Sequence, residues 1–218
     1  MRLTCSRFFR RLGAALAACA LPLAALAAEP PATAGVPSPS FDCARVAAHT
    51  AAGRICGDAA LAELDLRMAS TYALAARAVN RDNPHPRTSQ RAWLKTRDRC
   101  ARAGAPEPNT CIARQYRMRI AELRARYGLA AQSGQATLSC GRPPTRVVLR
   151  FFQDPTDADS IGVAIAARGL RVTTLYQEPT GSGIRYADAA GHVYEEHQRD
   201  AWLTWGRGAP RLACTISG

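Results

Sequence analysis

Behind its first 27 residues the chain keeps six cysteines, Cys43, Cys56, Cys100, Cys111, Cys140 and Cys214, and their distribution constrains the fold more than any other feature. An even set in an exported chain predicts disulfides, and six thiols allow about 15 pairings. Two close pairs in the first half and one wide pair in the second favour Cys43 with Cys56, Cys100 with Cys111, and Cys140 with Cys214. No bridge then crosses between the halves. Zinc is the competing use of such residues, but there is no C-x-x-C and no histidine at ligand spacing beside any of them, so no metal and no cofactor is expected.

The expectation of export rests on the opening stretch. Arg2, Arg7, Arg10 and Arg11 precede an apolar run over 12–28 that is broken only by Gly13, Cys19 and Pro22, and Ala25-Leu26-Ala27 offers a small-x-small cleavage site. This reads as a signal peptide over 1–27, too short for a retained membrane span, with delivery to the periplasm. Leu16-Ala17-Ala18-Cys19 also has a lipobox pattern, so a lipoprotein anchored at Cys19 is the competing reading. The residues after Cys19 stay apolar, which favours the soluble form. Cleavage removes Cys5 and Cys19 and leaves the six cysteines above.

Residues 28–40 are a Pro-rich tether that can hold neither a helix nor a central strand. Helical periodicity then runs over 41–128. A short helix is expected from Asp42 to about Thr50. A long one follows Asp58 as N-cap, with Leu61, Leu64, Met68, Tyr72, Ala75 and Val79 on one stripe. A third is capped by Thr88 or Ser89 and carries Trp93 and Cys100 on one face. A fourth is capped by Thr110, has Ile112, Tyr116, Ile120, Leu123 and Tyr127 at spacings of three and four, and stops at Gly128.

From 135 to 218 the period changes to that of strands. Eight short runs, at 136–140, 146–152, 161–166, 171–177, 183–187, 192–196, 201–205 and 212–216, are separated by turn-forming residues. Cys140 lies on the first and Cys214 on the last, as fits a small antiparallel sheet closed on itself. The expected fold class is α+β in two segregated domains, a small disulfide-bonded helical domain at 41–128 and an eight-stranded antiparallel β-barrel at 135–218.

The formal charge of +12 drops to +8 without the four leader arginines. The helical half holds 16 basic and 8 acidic residues, whereas residues 129–218 hold 9 and 8. Export disfavours nucleic acid as the partner of this basic half. Enzyme signatures are missing: there is no G-x-S-x-G, P-loop, dinucleotide fingerprint or H-E-x-x-H, and the four histidines are scattered. Glu195 and Glu196 are neighbours on a strand and point to opposite faces, so they form no catalytic pair and read as a solvated one. The chain is expected not to be an enzyme.

One segment differs from scaffold. Gly181-Ser182-Gly183-Ile184-Arg185-Tyr186 sets a hydroxyl between two glycines ahead of a strand, where bulkier flanks would bar it from a narrow cleft. An ordinary hairpin turn would use the same residues. With Leu138-Ser139-Cys140, Ser182-Gly183-x-Arg185-Tyr186-Ala187-Asp188, Gly191 to Ala201, and Ala213-Cys214, the second half resembles the MliC/PliC family of periplasmic inhibitors of C-type lysozyme. That resemblance implies an eight-stranded barrel whose motif serine enters the muramidase cleft and hydrogen-bonds the catalytic carboxylates. Ser182, Gly183 and Tyr186 carry over to the motif, and Arg185 is a candidate cation. A second family segment usually supplies a lysine, and His197 stands at that position.

The first half resembles the LprI-like domain of exported proteins, in Phe41-Asp42-Cys43, Ile55-Cys56, Leu61-x-x-Leu64-Asp65, Gln90-Arg91-x-Trp93-Leu94-x-x-Arg97-Asp98-x-Cys100 and Cys111-Ile112. Together the resemblances imply an inhibitor of C-type lysozyme that protects peptidoglycan, with Ser182, Gly183, Arg185, Tyr186 and His197 as its contact residues. The alternative is a non-catalytic module in which the basic helical domain holds an anionic cell-envelope polymer. Lysozymes of this class are generally basic, so the +8 of the helical half argues for slow association.

Overall fold

The computed structural model describes residues 37–79, 83–154, 157 and 160–217. The leader, the lipobox at Cys19 and the 28–36 portion of the tether lie outside the described residues. Four helices, α1 (Ala51–Cys56), α2 (Ala59–Arg77), α3 (Arg87–Arg99) and α4 (Pro108–Arg126), precede eight strands. No helix among the described residues is long and apolar enough to cross a membrane.

The helical core forms where the sequence stripes meet. Leu61, Leu64, Met68 and Ala75 of α2 pack against Ile112, Tyr116, Ile120 and Leu123 of α4, with Ile55 of α1 beneath them. Each such large side chain contributes roughly 1.5–3 kcal/mol on burial. Asp58 caps α2 through the amides of Ala60 and Leu61. Disulfides join Cys43 to Cys56 and Cys100 to Cys111, clipping the chain on either side of the α2 and α3 pair.

Local details depart from the sequence reading. Residues 42–50 form turns rather than a helix, and Thr50 instead caps α1 by accepting from the Gly53 amide at 3.0 Å. Pro86, not Thr88 or Ser89, stands at the α3 N-cap, and the Ser89 hydroxyl donates back to the Pro86 carbonyl at 3.0 Å. Helix α4 starts at Pro108, two residues before Thr110, because proline at a first helical turn loses no hydrogen bond. Val79 lies beyond the end of α2 and is exposed, so the stripe stops at Ala75.

Polar groups also enter this core. Asp65 accepts from the Ser40 amide at 2.7 Å, the Ser40 hydroxyl at 2.6 Å and the Tyr116 hydroxyl at 2.7 Å. The buried Arg97 donates to the Tyr116 oxygen at 3.0 Å and pairs with Asp98 at 2.8 Å. Every member has a partner, as burial requires. Ser40 is thereby stitched to α2 and, through Tyr116, to α4.

The barrel strands are β1 (Gln132–Cys140), β2 (Thr145–Phe152), β3 (Val163–Arg168), β4 (Arg171–Gln177), β5 (Ile184–Ala187), β6 (His192–His197), β7 (Asp200–Trp205) and β8 (Arg211–Ser217). They pair in chain order, all antiparallel, and β8 returns to β1 to close the barrel. Cys140 and Cys214 face each other across that seam and are bonded. Leu138, Val147, Leu149, Leu175, Tyr194 and Leu203 fill the interior.

Strand β3 is buried on both faces. Ala164 and Ala166 point into the barrel, while Val163 and Ile165 join Phe152 and Ala125 of α4 in a separate cluster. Polar contacts flank it: Arg126 donates to the Thr174 hydroxyl at 2.8 Å, Arg124 pairs with Asp154 at 2.9 Å, and Tyr176 donates to Glu122 at 3.2 Å. Burial, with the Glu122 charge in support, pushes the Tyr176 phenol upward. Helices and barrel thus share one small apolar contact besides their own cores.

Candidate functional site

Antiparallel order sorts the connections between two ends of the barrel. The connections 153–162, 178–183 and 198–199 lie at one end, and 141–144, 169–170, 188–191 and 206–210 at the other. Ser182 and His197 therefore share an end, although 15 residues of chain separate them.

Gly183 holds the serine loop in place. Its φ is 74°, and a Cβ there would lie 2.1 Å from the Glu196 carbonyl oxygen and 3.1 Å from the His197 Cα. The loop is seated directly on the end of β6, in register with the Ile184 and Glu196 pair. Only glycine tolerates both the dihedral and the contact. The Thr180 hydroxyl tightens the loop by donating to the Ser182 carbonyl at 3.1 Å. Ser182 is exposed, and its own hydroxyl has no hydrogen-bond partner among the described residues. His197 is also exposed, opposite Asp200 across the short β6–β7 turn, where Gln198 takes φ 56°.

Arg185 and Tyr186 behave differently. The Arg185 guanidinium pairs with Glu178 at 3.0 Å and with Glu195, and the hydrogen bond to Glu178, opposed by desolvation and helped by the Glu195 charge, raises it above its usual value. Glu195 also takes Arg211 at 3.1 Å, and Arg211 stacks on Trp202 at 4.1 Å. Tyr186 is buried in the barrel against Phe151, with ring centres 5.4 Å apart, and burial raises its phenol. It supports the loop from behind. The structure thus brings Ser182, Gly183 and His197 to one surface, engages Arg185 on the barrel wall, and turns Tyr186 inward.

The acidic pair is not simply solvated. Glu195 is bridged by two arginines, and Glu196 accepts from the buried Tyr194 hydroxyl at 2.5 Å. Glu178 was not singled out by sequence, yet it ties the loop base twice, through Arg185 and through its amide to the Arg185 carbonyl at 2.9 Å. Its partner becomes visible only from the β4–β5 register, which pairs Gln177 with Tyr186. Among the described residues no group of three His, Cys, Asp or Glu could hold a metal ion.

Charge differs between the two barrel ends. At the Ser182 end the carboxylates Asp154, Asp157 and Glu178 are paired with Arg124, Arg67 and Arg185. At the far end Arg142, Arg168, Arg171 and Arg207 have no carboxylate partner among the described residues.

Residues 43–123 match the family model described as lysozyme inhibitor LprI, and residues 139–212 match that described as membrane-bound lysozyme-inhibitor of c-type lysozyme, MliC. No curated protein and no solved structure matches the chain. Helices with two internal disulfides followed by a closed, disulfide-seamed barrel agree with the order of the two models, and the chain is a fusion of an LprI domain with an MliC domain, both from lysozyme-inhibitor families.

Proposed function

We propose that the chain is an exported, non-catalytic inhibitor of C-type lysozyme, with the Ser182 loop as the element that enters the muramidase cleft. The observation that carries this reading is the seating of Gly183 on the β6 end, which holds an unpartnered Ser182 hydroxyl outward beside His197. A glycosidase cleft is lined by two carboxyl groups, one of them a general acid. A stiff loop with a hydroxyl donor can fill it while offering no glycosidic bond. His197 stands beside the loop as its second candidate contact. Arg185 acts by bracing the loop base through Glu178 rather than by reaching the partner.

The loop carboxylates at the Ser182 end are paired with Arg67, Arg124 and Arg185, so long-range attraction to a basic muramidase is weak and association is slow. Domain limits of 41–128 and 135–218, a soluble periplasmic form after cleavage at 27, and protection of peptidoglycan belong to the same proposal.

A turbidity assay with C-type lysozyme tests it. The wild type slows lysis, and Ser182→Arg, too bulky for the cleft, does so at least about tenfold less well, equivalent to about 1.4 kcal/mol. Equal inhibition by both proteins removes Ser182 from the mechanism.

A second reading, attachment to an anionic envelope polymer, has its own support. Arg87, Arg91, Lys95 and Arg99 recur every four residues on α3, all exposed, with no carboxylate partner among the described residues. Salt-sensitive retention on purified cell wall, lost with Arg91→Glu and Lys95→Glu, distinguishes it from the first reading.

A further inference from the structure

The barrel end opposite Ser182 has a surface that neither core nor inhibition accounts for. The β3–β4 hairpin turns through only Gly169 and Leu170, with Gly169 at φ 58° supplying the positive dihedral that so tight a connection needs. Leu170 is fully exposed at 103%, and Val172 beside it at 52%. A leucine at a hairpin apex contributes nothing to folding.

The hairpin is also charged against its own stability. Arg168 and Arg171 sit directly opposite each other across the ladder, an arrangement that like charges destabilise, and no carboxylate among the described residues pairs with either. The Arg168 guanidinium lies over the Trp205 ring at 5.8 Å. Arg142 in the β1–β2 connection and Arg207 in the β7–β8 connection add two exposed cations. Arg207 is fixed in place, its amide donating to the Ala190 carbonyl at 2.8 Å and its guanidinium to the Ala189 carbonyl at 3.2 Å. The one acid at this end, Asp188, is turned inward to His192 and the Thr173 hydroxyl, each at 2.8 Å. This end therefore carries an apolar apex and four arginines with no carboxylate partner among the described residues.

We propose that this end docks on an anionic lipid bilayer, with Leu170 at headgroup depth and the four arginines on lipid phosphates. A soluble polyanion would satisfy the arginines but would leave Leu170 in water. Two large exposed apolar side chains are too few for the buried centre of a protein interface, which covers roughly 800 Å² per side. A bilayer rewards both features at once, since apolar insertion and attraction to anionic headgroups add. The Ser182 end then faces away from the membrane, open to a partner arriving from the aqueous side.

The test uses full-length chain in wild-type form and with Leu170→Ser, Arg171→Glu or both, co-sedimented with phosphatidylglycerol/phosphatidylcholine vesicles and with pure phosphatidylcholine vesicles. Everything outside the hairpin is common to all four proteins. The wild type partitions onto the anionic vesicles in a salt-sensitive way, and the double variant does so at least about tenfold less. Equal partitioning of wild type and double variant, or equal partitioning of the wild type onto neutral vesicles, overturns the proposal. Retention of the wild type on soluble polyphosphate with no loss in Leu170→Ser would overturn it in favour of a polymer. A second probe is Leu170→Trp: its emission shifts to the blue on anionic vesicles, and an unshifted spectrum also rejects the docking.

Discussion

The two ends of the barrel are built on opposite principles. At the Leu170 end the connections are short, Arg207 is bonded into the neighbouring turn, and Cys140 and Cys214 cross-link the seam. At the Ser182 end two of the three connections are long, no disulfide is present among the described residues, and the loop is held by a backbone contact at Gly183 and the Glu178–Arg185 pair. One end is fixed covalently and carries arginines with no carboxylate partner among the described residues; the other is fixed by close packing and carries carboxylates paired with arginines. The difference shows how one small sheet can expose two unlike surfaces without a second core, because rigidity at one end frees loop length at the other.

Breaking the covalent end should have the largest effect on stability. Replacing the seam with Cys140→Ser and Cys214→Ser is expected to cost about 2–5 kcal/mol, read as a lower urea midpoint, while lysozyme inhibition persists below the new melting temperature. Gly183→Ala attacks the other end: forcing a side chain into the Glu196 carbonyl at positive φ should cost about 1–3 kcal/mol and reduce inhibition at least as much as Ser182→Arg, in the same turbidity assay. Tyr194→Phe leaves Glu196 without its donor and should cost about 0.5–1.5 kcal/mol at neutral pH, measured by urea unfolding. Leu170→Ser should change stability by no more than about 0.5 kcal/mol, since nothing packs on it.

Tyr194 also sets a pH dependence. Burial, then the hydrogen bond and charge of Glu196, raise its phenol, so the folded state favours the neutral form. That contribution is complete below the free phenol value of about 10 and is lost as pH rises toward the elevated folded value. The urea midpoint should hold between pH 7 and pH 9 and fall at higher pH, as about one phenol after another is forced to ionise, with a smaller fall in Tyr194→Phe.

Much of this was legible in the sequence where chemistry is local. Cysteine spacing identified all three disulfides, alternation located all eight strands, and Asp58 marked its helix start. Caps at Thr88, Ser89 and Thr110 failed because Pro86 and Pro108 set those helix starts, and the segment before Thr50 failed because its polar groups are used in turns. The burial of Arg97 and Tyr186, the engagement of Arg185 and the gathering of arginines at the Leu170 end all depend on register between distant strands or helices. A one-residue slip would invert each of them, so no local pattern encodes them. Ser182 and its glycines could be read as motif residues, but what Gly183 presses against could not.

The stitching of Ser40 to Asp65 has a mechanical corollary. Tension applied along the chain from the amino-terminal side is delivered at residue 40 into a helix pair clipped by two covalent staples, and reaches the sheet through the backbone at 127–131 and the contacts around Ala125. The backbone delivers that load to β1, where the Cys140–Cys214 bridge ties the strand to β8 and holds the barrel closed against it.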